Sequence, residues 1–217
     1  MFDKHKEKKA EEDFVRHFAE WQQAHDEAAQ LIETAQTYTG DTTSDKLILK
    51  ADEKLFATVS GVGLVEERRG PGQWQGHSQG FSVPVGSVGG HQVHYRVGQT
   101  RGHYVQGTPT PTSIDSGTLF ITDRRVVFEG AHQTRECAFA KLIGVDYGAE
   151  GSATFSVSNR QKATILHYGP SIAGWVHFRV ELALAHFRGA VPELVAQLRQ
   201  QLADLDQSKP VVPAVTG

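Results

Sequence analysis

The chain has 217 residues, 39% of them hydrophobic, which suits one large domain or a smaller domain with appendages. Its formal net charge of −3 excludes a strongly basic nucleic-acid-binding protein. A single cysteine, Cys137, excludes an intramolecular disulfide framework and a cysteine-rich zinc site, so we expect a cytoplasmic protein. The opening MFDKHKEKKAEED has no apolar core, so we expect no signal peptide. The sequence contains no run of about 18 apolar residues, so we expect no membrane-spanning helix.

Residues 1–40 form a charged block with five basic and nine acidic residues and with no Pro or Gly before Gly40. Apolar residues recur every three or four positions, which predicts an amphipathic helical arm over roughly 8–38. A helix of about 45 Å overhangs a small domain. Its apolar stripe must therefore pack on the flank of the domain, on the C-terminal helix or on another molecule. The predicted helix interface consists of Phe14, Phe18, Trp21 and Leu31.

The next segment combines strand signals with a glycine-rich insert. Residues 55–59 and 62–65 have the composition of strands, and ten glycines follow within 70–107. Strand-like pieces at 80–85 and 91–97 predict a β-ribbon rather than a disordered linker. The sequence TPTPT at 108–112 predicts an extended connection outside any central strand.

Short strands alternate with turn residues in the second half of the chain. The predicted strands are 118–122, 125–129, 136–145, 152–158, 162–168 and 174–180, which indicates an antiparallel sandwich or barrel. An amphipathic helix is predicted over 192–206, with Pro192 in its first turn. The segment 180–188 fits a strand or a helix, and we favour a helix after about 180. The domain is therefore expected to span 47–207, followed by a flexible tail at 208–217.

The segment GTLFITDRRVVF, which begins at Gly117, resembles the G-x-L-x-[LIV]-T-[ND]-x-R-[LIV]-x-F signature of GRAM and bacterial pleckstrin-homology-like (PH-like) domains. The resemblance covers about 115–168, is weaker over 47–107, and is closest to uncharacterised actinobacterial PH-like proteins. It implies an α+β, mainly β fold: a partly open, seven-stranded antiparallel β-barrel capped by a C-terminal helix, here preceded by the helical arm. PH-like folds host many functions, so the resemblance predicts the fold more firmly than the ligand.

Two arginines at the tip of the 117–130 hairpin, Arg124 and Arg125, allow two interpretations. We favour a stabilising role for this turn, and the alternative is contact with an anionic lipid or an acidic partner. In PH domains that bind phosphoinositides, the loop after the first strand carries basic residues, and Arg68 and Arg69 occupy a similar place beside Glu66 and Glu67. The remaining candidate contacts lie in the insert: Trp74, Arg96 and Arg101.

The sequence offers little for catalysis or for metal binding. His91 and His94 would point to opposite faces of a strand, and no carboxylate or thiol between 68 and 114 completes a ligand set. Cys137 is expected to be a small buried side chain, and no nucleophile or phosphate-loop motif appears. We therefore predict a non-enzymatic protein-interaction module with no cofactor or metal, bound to an unknown protein or to a second copy. The alternatives are peripheral binding to the anionic inner membrane face and small-molecule binding in the barrel.

Overall fold

The structure is a computed structural model that describes the backbone of residues 2–69, 73–88, 91–105 and 109–212 and the side chains of residue 9 and of residues 11–68 and 110–212. Three helices and nine strands are assigned in these ranges. The helices are α1 (Phe2–Thr37), α2 (Ala173–Arg188) and α3 (Val191–Gln207). The strands are β1 (Leu55–Arg69), β2 (Gln73–Val88), β3 (His91–Val105), β4 (Pro109–Thr122), β5 (Arg125–Gly130), β6 (Thr134–Ala138), β7 (Leu142–Gly148), β8 (Ser152–Val157) and β9 (Thr164–His167).

Seven strands form one open antiparallel sheet, as the predicted α+β, mainly β class requires. The strand order is β6-β5-β4-β1-β9-β8-β7, so the first strand of the sheet lies beside the last one. Strands β4 and β5 pair from Gly117 with Gly130 to Ile121 with Val126, which confirms the predicted hairpin. The pairs β5–β6, β7–β8 and β8–β9 are also antiparallel neighbours in sequence, as expected for a meander.

The core combines the strands with α2. Strand β8 buries every second residue, Ala153, Phe155 and Val157, while α2 buries seven of its sixteen residues. Two ring contacts join α2 to the sheet. His186 contacts Phe56 of β1, and His177 contacts Tyr147 of β7. Helix α2 is therefore the helix that packs on the sheet.

Two of the sequence predictions are wrong in this region. Residues 174–180 are helical instead of forming a strand, whereas the helix favoured after about residue 180 is confirmed, because α2 continues to Arg188. Its buried residues Val176, Phe178 and Val180 alternate because this helix is covered on more than one side, and the alternation imitates a strand. The single predicted strand over 136–145 is also broken by a 3₁₀ turn at Phe139–Lys141.

The chain divides into two compact units, residues 1–64 with 115–217 and residues 65–114. The second unit contains the β2–β3 hairpin, whose strands are longer than the strand-like pieces predicted at 80–85 and 91–97. Residues 65–114 of this unit also extend beyond the insert expected at 70–107. The TPTPT segment was expected to lie outside the strands, but β4 begins at Pro109. Pro109 and Pro111 are two residues apart, so their missing N–H groups fall on the same edge of the strand.

Candidate functional site

The tip of the β4–β5 hairpin is tied to the segment before β1 by a buried ion pair. The Arg125 guanidinium donates Nε–H to Glu53 Oε1 at 2.8 Å and Nη2–H to Glu53 Oε2 at 3.0 Å. Nη2 also donates to the Ile48 carbonyl at 3.0 Å, and Nη1 donates to Glu136 Oε2 at 2.8 Å. The Glu53 side chain is 0% exposed and the Arg125 side chain 10% exposed. Arg125 is therefore occupied within its own chain.

The other polar groups of the tip complete this connection. Thr122 donates its hydroxyl to Glu53 or to the Arg125 carbonyl, and accepts the Arg125 N–H. Asp123 accepts the Lys54 N–H at 2.9 Å through its carboxylate. Burial alone would raise the pKa of Glu53, but the hydrogen bonds from Arg125, the Lys50 N–H and Thr122 hold that pKa below its ordinary value. The tip thus fixes the hairpin to the start of β1.

Arg124 behaves differently from its neighbour. Its side chain is exposed, while its backbone N–H donates to Thr122 Oγ1 and its carbonyl accepts the Phe139 N–H. Of the two arginines predicted as partner or lipid contacts at this tip, the structure places only Arg124 at the surface.

A cleft lies next to the loop that precedes β1. Leu47 and Leu49 of this loop pack on a small cluster of Leu55, Phe120 and Val127, and Asp41 pairs with Leu55 through two backbone hydrogen bonds of 2.8 Å. The cleft has a volume of about 450 Å³. Its walls are mostly polar, and they are formed by Asp41, Thr42, Thr43, Ser44, Asp45, Lys46, Leu55, Thr58 and Phe120.

The N-terminal helix packs on the C-terminal helix of the same chain. The Trp21 indole donates Nε1–H to the Leu205 carbonyl at 2.8 Å, and His25 lies 3.4 Å from the Asp206 carboxylate. The Lys209 ammonium lies over the Trp21 ring at 5.0 Å. Just past the other end of α1, the Tyr38 ring contacts the Phe56 ring at 5.6 Å, and Phe56 contacts His186, a few residues before α3 begins, at 4.9 Å. The two helices therefore run antiparallel, the second of the three arrangements the sequence left open.

Three of the four predicted interface residues of α1, Phe14, Phe18 and Trp21, form a continuous row. Phe14 stacks on Phe18 at 5.8 Å, and Phe18 lies 5.7 Å from Trp21. Leu31 is half-buried farther along the helix. Helix α3 ends beside Trp21, so residues 2–17 of α1 continue past it for about 24 Å. Phe14 lies on this extension, and Val15 beside it is 61% exposed.

The basic residues predicted around the insert are not brought into one described cluster. Arg68 is exposed near the end of β1, and Arg69 is the last residue of that strand. In the β2–β3 hairpin, Trp74 is registered opposite Tyr104, Arg96 opposite Ser82 and Arg101 opposite His77. The side chains of Arg69, Trp74, Arg96 and Arg101 lie outside the described residues, as do those of His91 and His94.

Sequence reasoning missed a stack of three side chains between α2 and the end of α1. The Arg179 guanidinium lies 4.7 Å from the centre of the Tyr38 ring and 5.3 Å from the Trp175 ring. The Tyr38 hydroxyl donates to Asp41 Oδ2 at 2.9 Å, and burial together with this carboxylate raises the pKa of Tyr38 to about 12. The spacing of four between Trp175 and Arg179 was available as a signal, but 174–180 was interpreted as a strand.

A second aromatic cluster joins α2 to β7. The His177 ring lies 4.3 Å from the Tyr147 ring and 5.7 Å from the Tyr168 ring, and the Tyr147 hydroxyl donates to Glu181 Oε1 at 2.7 Å. Burial lowers the pKa of His177, against an opposing hydrogen bond with the Ser152 backbone. Burial likewise raises the pKa of Tyr147 and of Tyr168.

Cys137 is buried on β6, and burial raises the pKa of its thiol despite nearby Thr164 and Arg160. A raised pKa keeps the thiol protonated, which is the opposite of what a nucleophile needs. Among the described side chains, no three His, Cys, Asp or Glu residues are grouped so that they could hold a metal ion.

Comparisons with known proteins do not assign the chain to a family: no family model matches it, and no curated protein or solved structure is significantly similar to it. Within the described residues, no helix combines the length and apolar character needed to cross a membrane.

Proposed function

We propose that this chain is a non-enzymatic protein-interaction module built on a PH/GRAM-like barrel. The strand order supports the barrel, because a meander whose first strand lies beside its last, with one helix packed on it, is what the resemblance implies. The burial of Cys137 and its raised pKa support a packing role for the one thiol. The partner-binding element is the extension of α1.

The observation that carries this proposal is the aromatic row of α1, which runs past the end of α3. Residues 2–17 are a charged helical segment with no α3 beside them, and an isolated helix of this length is marginal in water. Phe14 is half-buried and Val15 largely exposed, so their apolar surface is available to a partner. Full burial of an exposed side chain of this kind contributes about 1.5–3 kcal/mol, and the half-buried Phe14 contributes less, which together favour a helical partner or an apolar groove.

Site-specific photocrosslinking in cells that produce the chain tests this role. A crosslinking amino acid at Val15 is expected to capture one defined protein, whereas the same group at Gln22, an exposed position on α1, is not. The capture is expected to disappear in Phe14→Asp. If neither position captures a protein, or both capture the same ones, the extension of α1 is not a binding element.

Light scattering separates a second copy from a different partner. The wild-type chain is compared with Phe14→Asp/Val15→Asp and with the matched control Ala19→Asp/Gln22→Asp, which alters exposed positions. A dimer that only the first variant dissociates identifies a second copy as the partner. A monomer at high micromolar concentration, combined with a specific capture at Val15, identifies a different protein.

A further inference from the structure

The hairpin of the second compact unit forms a sheet of its own. Strands β2 and β3 pair with each other, and no third strand joins them within the described backbone. In an antiparallel pair, part of the N–H and C=O groups of each strand point away from the partner strand. Such free groups are a template for a further strand, and a two-stranded hairpin by itself is marginally stable in water.

The two edges of this sheet differ in how readily they accept a strand. Strand β2 contains Pro84, which has no N–H to donate, and its register shifts between Pro84 and Gly86. Proline and β-bulges are features that protect an edge strand from pairing. Strand β3 contains no proline, and its residues from His91 to Val105 pair with β2 without interruption. The β3 edge is therefore the one that can accept a strand.

The charge of β3 indicates which kind of strand fits beside it. Residues 73–105 include two arginines and four histidines but neither Asp nor Glu, in a chain whose net charge is −3. Five of these six basic residues lie on β3, namely His91, His94, Arg96, Arg101 and His103. Opposite charges on neighbouring strands stabilise a sheet, and like charges destabilise it. A second copy of β3 would bring the same cations again, so the charges favour an acidic segment of another protein.

The register of the hairpin separates apolar from basic positions. Residues opposite each other share a face, and the two faces alternate along a strand. One face carries two apolar pairs, Phe81 with Val97 and Val83 with Tyr95. Arg96 lies on the other face, where the pair next to it, Gly80 with Gly98, adds no side chain. Glycine within a strand is typical of places where another backbone approaches closely. A segment that alternates apolar and acidic residues therefore matches both faces.

We propose that the β3 edge binds an extended acidic segment of another protein, which adds to the hairpin as a third strand. Main-chain hydrogen bonds along β3 provide the affinity of such an arrangement, and the side chains at alternate positions provide its specificity. Acidic residues of the segment pair with Arg96, while its apolar residues extend the face that holds Tyr95 and Val97. This surface belongs to the second compact unit and is independent of the role proposed for α1.

The test uses a defined probe, a fluorescein-labelled peptide of four Val-Glu repeats, titrated with the intact chain and followed by fluorescence anisotropy. Saturable binding that weakens with added salt is expected, because surface charge pairs are screened. Two control peptides isolate the charge and the main chain. Val-Lys repeats reverse the charge, and proline in place of the two central valines removes backbone donors at constant charge. Neither control is expected to bind. No binding of the Val-Glu peptide, or equal binding of either control, overturns the proposal.

Hydrogen exchange of the backbone amides locates the bound peptide. The rapidly exchanging amides of β3 are expected to become protected, whereas those of β2 are not, because only the β3 edge gains hydrogen bonds. Arg96→Gln should weaken peptide binding about two- to fivefold, and Arg188→Gln, an exposed arginine on α2, should leave it unchanged. Protection that falls on β2 or on the first compact unit overturns the site from the wild-type data alone, whether or not the variants fold.

Two other occupants of this edge give different results. Protection of β3 that appears without peptide and increases with the concentration of the chain identifies a second copy, and overturns the acidic partner. Vesicles of phosphatidylcholine with phosphatidylserine provide the last comparison. Pelleting of the wild-type chain with these vesicles that Arg96→Gln removes, without protection of β3 by the peptide, identifies a membrane surface and overturns the added strand.

Discussion

Replacing Arg125 by Met is expected to destabilise the fold strongly. The substitution leaves the Glu53 carboxylate, whose side chain is 0% exposed, without its two guanidinium hydrogen bonds. Removing one partner of a buried ion pair costs about 3–5 kcal/mol, because the remaining charge stays desolvated. The bond to Glu136 adds at most about 1 kcal/mol, since the Glu136 side chain is 41% exposed and screened by water. For a domain with a stability of about 5–15 kcal/mol, this is a large fraction.

Urea denaturation measures the free energy of unfolding for this variant and for Arg124→Met, its exposed neighbour and matched control. The control is expected to change the free energy of unfolding by no more than about 0.5 kcal/mol. Combining Arg125→Met with Glu53→Met removes both charges, and its cost should be about 1–3 kcal/mol smaller than the sum of the single costs. If Arg125→Met is no more damaging than Arg124→Met, the ion pair does not hold the hairpin tip in place.

Four further results are expected. Because the pKa of Glu53 is held below its ordinary value of about 4.3, the free energy of unfolding should decrease as the pH falls below that value, and Glu53→Gln should weaken this dependence. Burial lowers the pKa of His177, so the neutral imidazole stabilises the fold above about pH 6.5. As the pH falls below that value, this contribution to the free energy of unfolding should be lost in the wild type and should be absent from His177→Phe. Trp21→Phe loses the bond to Leu205 and should cost about 0.5–1.5 kcal/mol in urea denaturation, whereas a neutral result would show that this bond does not hold α1 on α3. The buried thiol of Cys137 should react with a thiol reagent only after unfolding, and rapid reaction of the native chain would contradict its burial.

Local patterns were sufficient for α3 and for the β4–β5 hairpin. Helix α3 agrees with its predicted position within a residue, because three-to-four spacing reports a single apolar face. The paired part of the hairpin was located by its turn residues, since four consecutive residues are buried on each strand beside the turn. The first half of α2 was predicted as a strand, and only its second half as a helix, because the helix is buried on several sides and its sequence carries no such periodic contrast. The PH/GRAM-like identity of the sheet stays a prediction.

The candidate sites depend on contacts that are distant in sequence. Glu53 is 72 residues from Arg125, and no local spacing connects them. Arg179 stacks on the Tyr38 ring, which is distant in sequence, and this contact becomes visible only once the helices are placed. By contrast, the aromatic row of α1 was found from spacing alone, because all its members lie on one helix.

The tip sequence Asp123-Arg124-Arg125 shows why counting basic residues overstates a membrane-binding surface. Asp123 accepts a hydrogen bond from the Lys54 N–H just before β1, and Arg125 forms ion pairs with Glu53 and Glu136. Only Arg124 contributes a charge at the surface, and one basic residue near an anionic membrane is worth about 1 kcal/mol. Stable membrane attachment through this hairpin would therefore need several more cations.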